Sequence, residues 1–144
     1  MLFWKAGFSL KDFKEVGRRQ VLGLFFNAGI AGVSEGVLPV DDQFRIGGIG
    51  SVRGYREDLI RSPLFISGNV EYRFLTGGRS SVIGFFDSGF YGTAGKLKID
   101  AYIMGYGMGF RFDTPLGITG LDIGIGKDEG ISGTKVHLSI RNIF

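Results

Sequence analysis

Apolar and polar residues alternate along most of this chain, in segments that are unusually long. In the segment 101–113, one face consists entirely of large apolar residues, namely Tyr102, Met104, Tyr106, Met108, Phe110 and Phe112. A period of two residues is typical of a β-strand, whose side chains point alternately to the two faces of a sheet. Each such segment has about ten residues, which is long for a soluble sheet and close to the length of a strand that crosses a bilayer. The alternation therefore predicts an all-β protein with long antiparallel strands.

Seven segments follow this pattern, and no helical period occurs between them. They are residues 1–11, 21–31, 64–74, 81–91, 101–113, 117–127 and 134–144. The connections alternate in length: tight turns at 16–20, 75–80 and 113–117, and longer links at about 33–63, 92–99 and 127–134. Short turns on one side and long loops on the other are typical of transmembrane β-barrels. The loop pattern therefore favours an antiparallel transmembrane barrel.

The composition of the two strand faces bears on what the apolar face contacts. That face is rich in aromatic residues and methionine, whereas the other face combines glycine with a few charges such as Glu71, Asp87 and Arg111. A face exposed to water would carry mostly lysine and glutamate, so glycine and scattered charge fit a crowded polar lumen better. The alternative that the pattern leaves open is a soluble ligand-binding β-barrel, with the apolar face inside.

The residue inventory argues against an enzyme, a metal and a cofactor. Cysteine is absent and His137 is the only histidine, so neither a thiolate nor a histidine–carboxylate metal cluster can form. A G-x-S-x-G motif does not occur, and Arg53 stands where a G-x-G-x-x-G motif would need its third glycine. We expect His137 to be a lumen or rim residue. The net charge of +3 is too small to indicate nucleic acid as a partner.

A set of motifs in fixed order carries a family resemblance. They are "FRIGG" (44–48), "VRGY" (52–55), "GNVEYRF" (68–74), "GFFDSGFYG" (84–92) and "GYGMGFRFDTPLG" (105–117). Together they closely resemble the C-terminal β-barrel of the bacterial surface-antigen superfamily, the BamA–TamA outer-membrane assembly superfamily. The resemblance covers essentially the whole chain. It implies that residues 1–144 are the C-terminal part of one outer-membrane barrel domain, with about seven of sixteen strands.

The resemblance also implies a role for the long loop at about 34–63. In that family the loop bearing the VRGY motif folds back into the lumen, and its arginine contacts an aspartate on the strand with the F-x-D-x-G motif. Carried over to this chain, Arg53 contacts Asp87. The other residues implied in this loop-to-lumen lock are Gly54, Tyr55, Glu71, Phe85 and Gly89. Glycine allows such a loop to bend tightly inside a crowded pore.

The last strand resembles the C-terminal targeting signal of outer-membrane barrels. Leu138 and Ile140 occupy its alternating apolar positions and Phe144 its final aromatic position, whereas Asn142 departs from the apolar spacing. The family mechanism implies a weak seam beside this strand, where client strands pair. Seven strands alone would leave open edges in hydrocarbon, so we expect either a C-terminal fragment or a short member that oligomerises.

These inferences predict a non-enzymatic protein of the bacterial outer membrane that assists the insertion, assembly or translocation of other proteins. Its expected partners are the lipid bilayer, client outer-membrane or secreted proteins, and either accessory assembly subunits or a second copy of the chain. The alternative functions are a two-partner-secretion-type transport pore and the soluble ligand-binding barrel.

Overall fold

A computed structural model describes residues 2–141 and is built almost entirely of β-strands. The strands are β1 (Phe3–Gly17), β2 (Gln20–Val33), β3 (Phe44–Ile46), β4 (Ile60–Ser62), β5 (Leu64–Gly77), β6 (Ser80–Thr93), β7 (Lys98–Thr114), β8 (Gly117–Gly126) and β9 (Lys135–Arg141). Three single turns of 3₁₀ helix lie in the connections, at Val40–Asp42, Ala94–Lys96 and Ile131–Gly133. None of the helical segments in this part of the chain is long and apolar enough to cross a membrane.

Seven of the strands form one antiparallel sheet in the order β1-β2-β5-β6-β7-β8-β9. Each predicted segment corresponds to one of these strands, so the all-β antiparallel prediction is confirmed. The turns 18–19, 78–79 and 115–116 join neighbouring strands at one end of the sheet, and the longer links lie at the other end. Within residues 2–141 the sheet is open, with β1 and β9 at its edges.

The structure differs from the sequence prediction in strand length and in the long loop. The strands β1, β2, β5, β6 and β7 have 14–17 residues rather than about ten. In β1 and β5 the backbone pairing continues past the alternating segment, as at Asp12 and Lys14, until a turn of two residues ends it. In β7 it extends at the other end, where Lys98 pairs with Thr93. The two short strands β3 and β4, which pair within the long loop, were not predicted.

The two faces of the sheet differ in what covers them. Large apolar side chains project from one face, which we call the outer face, where Tyr106 and Met108 are each 53% exposed. On the inner face Asp87 and Asp122 are completely buried. The loop between β2 and β5 covers them and contributes the apolar residues Ile46, Val52 and Tyr55 to a small core that also contains Ile103 of β7. The face that carries the charged side chains is therefore the face shielded from solvent.

Candidate functional site

The long loop lies against the inner face of the sheet at its VRGY segment. Val52 and Arg53 are both buried there. Hydrogen bonds hold the preceding turn, with the Gly48 N–H donating to the Val52 carbonyl at 3.0 Å and the Asn69 amide donating to the Ser51 carbonyl at 2.6 Å. The second of these bonds joins the loop directly to β5.

Glycines in the sheet and in the loop make this close approach possible. A Cβ atom on Gly105 of β7 would overlap the carbonyl oxygen of Arg53, and one on Gly124 of β8 would lie 2.7 Å from the backbone nitrogen of Gly54. Gly54 itself has φ +100°, a conformation that residues with a Cβ rarely adopt. Glycines of the inner face such as Gly105 and Gly124 therefore form the surface against which the loop backbone packs, which we call the glycine bed.

Arg53 of the loop binds Asp87 of β6 in a bidentate pair. Its Nε donates to Asp87 Oδ2 and its Nη2 to Asp87 Oδ1, each at 2.7 Å. The backbone N–H of Arg53 also donates to Oδ2, at 3.0 Å. The guanidinium lies 3.7 Å from the centre of the Phe85 ring, in the position of a cation–π contact. Geometry of this kind gives the strongest hydrogen bonds between side chains.

The pair is the centre of a larger group, which we call the ionic cluster: Arg53, Arg73, Arg111, Glu71, Asp87 and Asp122. Glu71 accepts from Arg53 Nη1 at 2.7 Å and, through its other oxygen, from Arg73 at 2.6 and 2.9 Å. Asp122 accepts from Arg111 at 2.8 and 3.0 Å and lies 3.9 Å from Arg53. Three arginines thus face three carboxylates, and the formal charges cancel.

Charge cancellation keeps the central arginine ionised in a buried position. Burial alone would lower the pKa of Arg53, but the hydrogen bonds and charges of Asp87 and Glu71 outweigh it and raise the pKa above its ordinary value. Removing Arg53 would leave the buried Asp87 without its paired cation, which is costly. The arrangement can therefore hold the loop in one position on the sheet.

The structure brings some of the residues implied by the resemblance together around one guanidinium and places others beside it. Glu71, Asp87 and Phe85 contact Arg53 directly. Gly89 lies instead beneath Val52, and the ring of Tyr55 packs over Gly126 of β8. Their action as a functional lock remains a prediction.

Three members of the ionic cluster were not among the residues implied in the loop-to-lumen lock: Arg73, Arg111 and Asp122. Arg111 was named only as one of the charges of the lumen face. Asp122 lies between Gly120 and Gly124 on the glycine face of β8, and this spacing of a lone carboxylate among glycines was the signal available in the sequence. Its contact with Arg111 requires the pairing of Gly109 with Asp122 across β7 and β8. The register of β7 and β8 could not be read from the sequence alone.

The residues of the implied C-terminal signal lie on the outer face where the structure describes them. Leu138 is 71% and Ile140 is 59% exposed. Phe144 and Asn142 lie outside the described residues, so the signal remains a prediction. No group of three or more histidine, cysteine, aspartate or glutamate side chains in residues 2–141 is arranged to hold a metal ion.

A comparison with protein-family models matches residues 1–142 to the Omp85 superfamily domain. The match covers every strand of the sheet, the long loop and all six residues of the ionic cluster. A comparison with curated proteins finds no match.

Proposed function

Because the chain belongs to the Omp85 superfamily, we propose that it is part of an outer-membrane β-barrel that inserts or translocates other proteins. The match confirms the family that the motifs predicted. Members of this superfamily are outer-membrane proteins, and the superfamily indicates a function related to protein insertion or secretion. The proposal extends this to the bacterial outer membrane and to a non-enzymatic assembly role for this chain.

The observation that carries the proposal is the sidedness of the sheet. Tyr106 and Met108 are half exposed on the outer face, while the charges of the ionic cluster are buried on the inner face. In water a continuous apolar surface of this kind would favour association or aggregation. In a bilayer it matches the hydrocarbon, and the buried charges belong in the lumen, as in transmembrane barrels. This argument favours lipid contact over the soluble ligand-binding barrel.

Lipid contact has a consequence for the edges of the sheet. Backbone groups at an open edge cannot be satisfied by hydrocarbon, so β1 and β9 would need further strands beside them. We propose that additional strands close a sixteen-stranded barrel, of which this chain supplies the C-terminal part. The loop of residues 34–63 then lies inside the lumen, held by the ionic cluster.

The role proposed for β9 follows from its position at the end of the sheet. It pairs with β8 along Val136, Leu138 and Ile140, and its other edge is unpaired within residues 2–141. We propose that this edge forms the seam where strands of client proteins pair before they enter the membrane. The lock at Arg53 would hold the loop in a defined position against β5 and β6 on the inner face.

Reconstitution tests the proposal. The full-length protein in liposomes should accelerate the folding of an unfolded outer-membrane barrel, measured as the gel-mobility shift of the folded client. Liposomes that contain an unrelated barrel serve as control. A protein that stays in the aqueous phase without detergent would contradict the membrane assignment. A protein that enters liposomes but exports only one dedicated partner would favour the two-partner-secretion-type pore.

A further inference from the structure

The inner face of β9 contains a contact to the long loop that is separate from the ionic cluster. His137 Nδ1 lies 3.3 Å from Glu57 Oε1. The histidine side chain is only 10% exposed, although it is on the last described strand of an open sheet. Its other ring nitrogen, Nε2, is buried without a hydrogen-bond partner among residues 2–141. Nδ1 is therefore the nitrogen through which His137 interacts with the loop.

Glu57 is well placed to transmit this contact to the loop. Its Oε1 also accepts a hydrogen bond from the backbone N–H of Ile49 at 2.8 Å. Its carboxylate packs against Gly48, which has φ +90° and where a Cβ atom would overlap the carboxylate. The side chain thus closes the turn that precedes the VRGY segment. Displacement of Glu57 should therefore displace that turn, and displacement of the turn should move Glu57.

The two ionic attachments of the loop reach different strands. Arg53 contacts Glu71 of β5 and Asp87 of β6, and it approaches Asp122 of β8. Among the ion pairs of the described residues, the one between Glu57 and His137 joins the loop to β9. The ionic cluster can therefore fix the loop on the middle of the sheet without fixing β9.

We propose that Glu57 and His137 are positioning residues that tie β9 to the long loop, so that the position of the loop and the stability of β9 pairing depend on each other. The consequence for a client-binding seam rests on the proposed function, but the tie itself does not. Opening of the loop would release β9, and displacement of β9 would loosen the turn at Ile49.

The attraction depends on the negative charge of Glu57, because an imidazole N–H is attracted to a carboxylate oxygen. The charged groups that face His137 are Glu57 from the loop and Asp122, which is opposite it in β8 and is already bound to Arg111. On its own strand Lys135 lies 3.5 Å from Glu129. Loss of the charge on Glu57 should therefore weaken the tie.

Hydrogen exchange of the detergent-solubilised full-length protein tests the tie without any insertion assay. Glu57→Gln can still accept from Ile49 but has no negative charge. Amides of residues 135–141 should exchange about two- to five-fold faster in this variant than in the wild type, after correction for intrinsic rates. Amides of β5 and β6 should be unchanged.

Two further variants complete the experiment. Arg45→Ala removes an exposed ion pair of the same loop, with Asp58, and should leave β9 exchange unchanged. His137→Gln should accelerate tryptic cleavage after the exposed Arg56 by a similar factor. Unchanged β9 exchange in Glu57→Gln, or an equal increase in β5 and β6, would overturn the inference. Because no client is present, such a result would be independent of whether the protein inserts others.

Discussion

Substitution of Arg53 by alanine should release the long loop, and the structure gives the size of the effect. The change removes the two side-chain bonds to Asp87 and the one to Glu71. Glu71 retains Arg73, and Asp122 retains Arg111. Asp87, which is 0% exposed, retains among residues 2–141 only the hydrogen bond from the backbone N–H of residue 53.

One buried carboxylate, rather than three, is thus left uncompensated. Breaking one buried ion pair costs about 3–5 kcal/mol. At about 1.4 kcal/mol per factor of ten, the open state of the loop should become roughly one hundred to several thousand times more populated. The loss of the Phe85 contact acts in the same direction. The variant should also unfold at a lower temperature in semi-native electrophoresis.

Tryptic cleavage after Arg56 in the folded, detergent-solubilised protein measures this population. When the loop opens and closes faster than it is cut, the cleavage rate follows the fraction of open loop. Arg45→Ala is the matched control, since it breaks an exposed pair in the same loop and should cost at most about 1 kcal/mol. Equal cleavage rates for the Arg53 and Arg45 variants would refute the reasoning, because the buried Arg53–Asp87 pair would then stabilise the loop no more than the exposed Arg45–Asp58 pair does.

Further predictions address the same lock, its bed and the outer face. In a double-mutant cycle, Arg53→Ala and Asp87→Ala should be coupled by about 2 kcal/mol or more in thermal or denaturant unfolding; additive effects would mean that the pair does not act as a unit. Gly105→Ala should displace Arg53 and increase tryptic cleavage of the loop. Gly84→Ala, with open space at its Cβ position, should leave cleavage unchanged. Equal cleavage rates for the two variants would show that the loop does not need glycine at position 105. Met108→Arg should destabilise the protein in lipid vesicles by about 2–4 kcal/mol if the residue lies near the bilayer midplane, as measured by denaturant titration. A neutral or stabilising result would place this face in water.

The fold followed from the sequence wherever the information was local. The period of two fixed which residues of β5 and β7 share a face, and the turns at 78–79 and 115–116 fixed how neighbouring strands pair. Two-residue turns leave little freedom of register, because a shift by one residue would turn every side chain to the other face. The strand ends were less predictable, because pairing stops where a turn intervenes and not where the hydrophobic pattern ends.

The site was predictable only in part, because its contacts are not local. Arg53 and Asp87 were paired through a family resemblance, and nothing in the spacing of the two residues requires them to meet. The contact of His137 with Glu57 depends on both the path of the loop and the register of β9. A glycine inside a strand, such as Gly105, ordinarily weakens the strand. Only the structure shows that position 105 needs a glycine, because the loop backbone packs against it.

The ionic cluster has a further property that bears on why charges, and not apolar side chains, hold the loop. A buried ion pair contributes little net stability compared with apolar residues of the same size, yet it is expensive to break. An apolar loop could slide over the glycine bed of β7 and β8, since dispersion contacts have no direction. Arg53 instead satisfies both oxygens of Asp87 in a single orientation. Replacing both residues by apolar ones should therefore leave the unfolding temperature nearly unchanged, while tryptic cleavage at Arg56 should become faster than in the wild type as the loop adopts several positions.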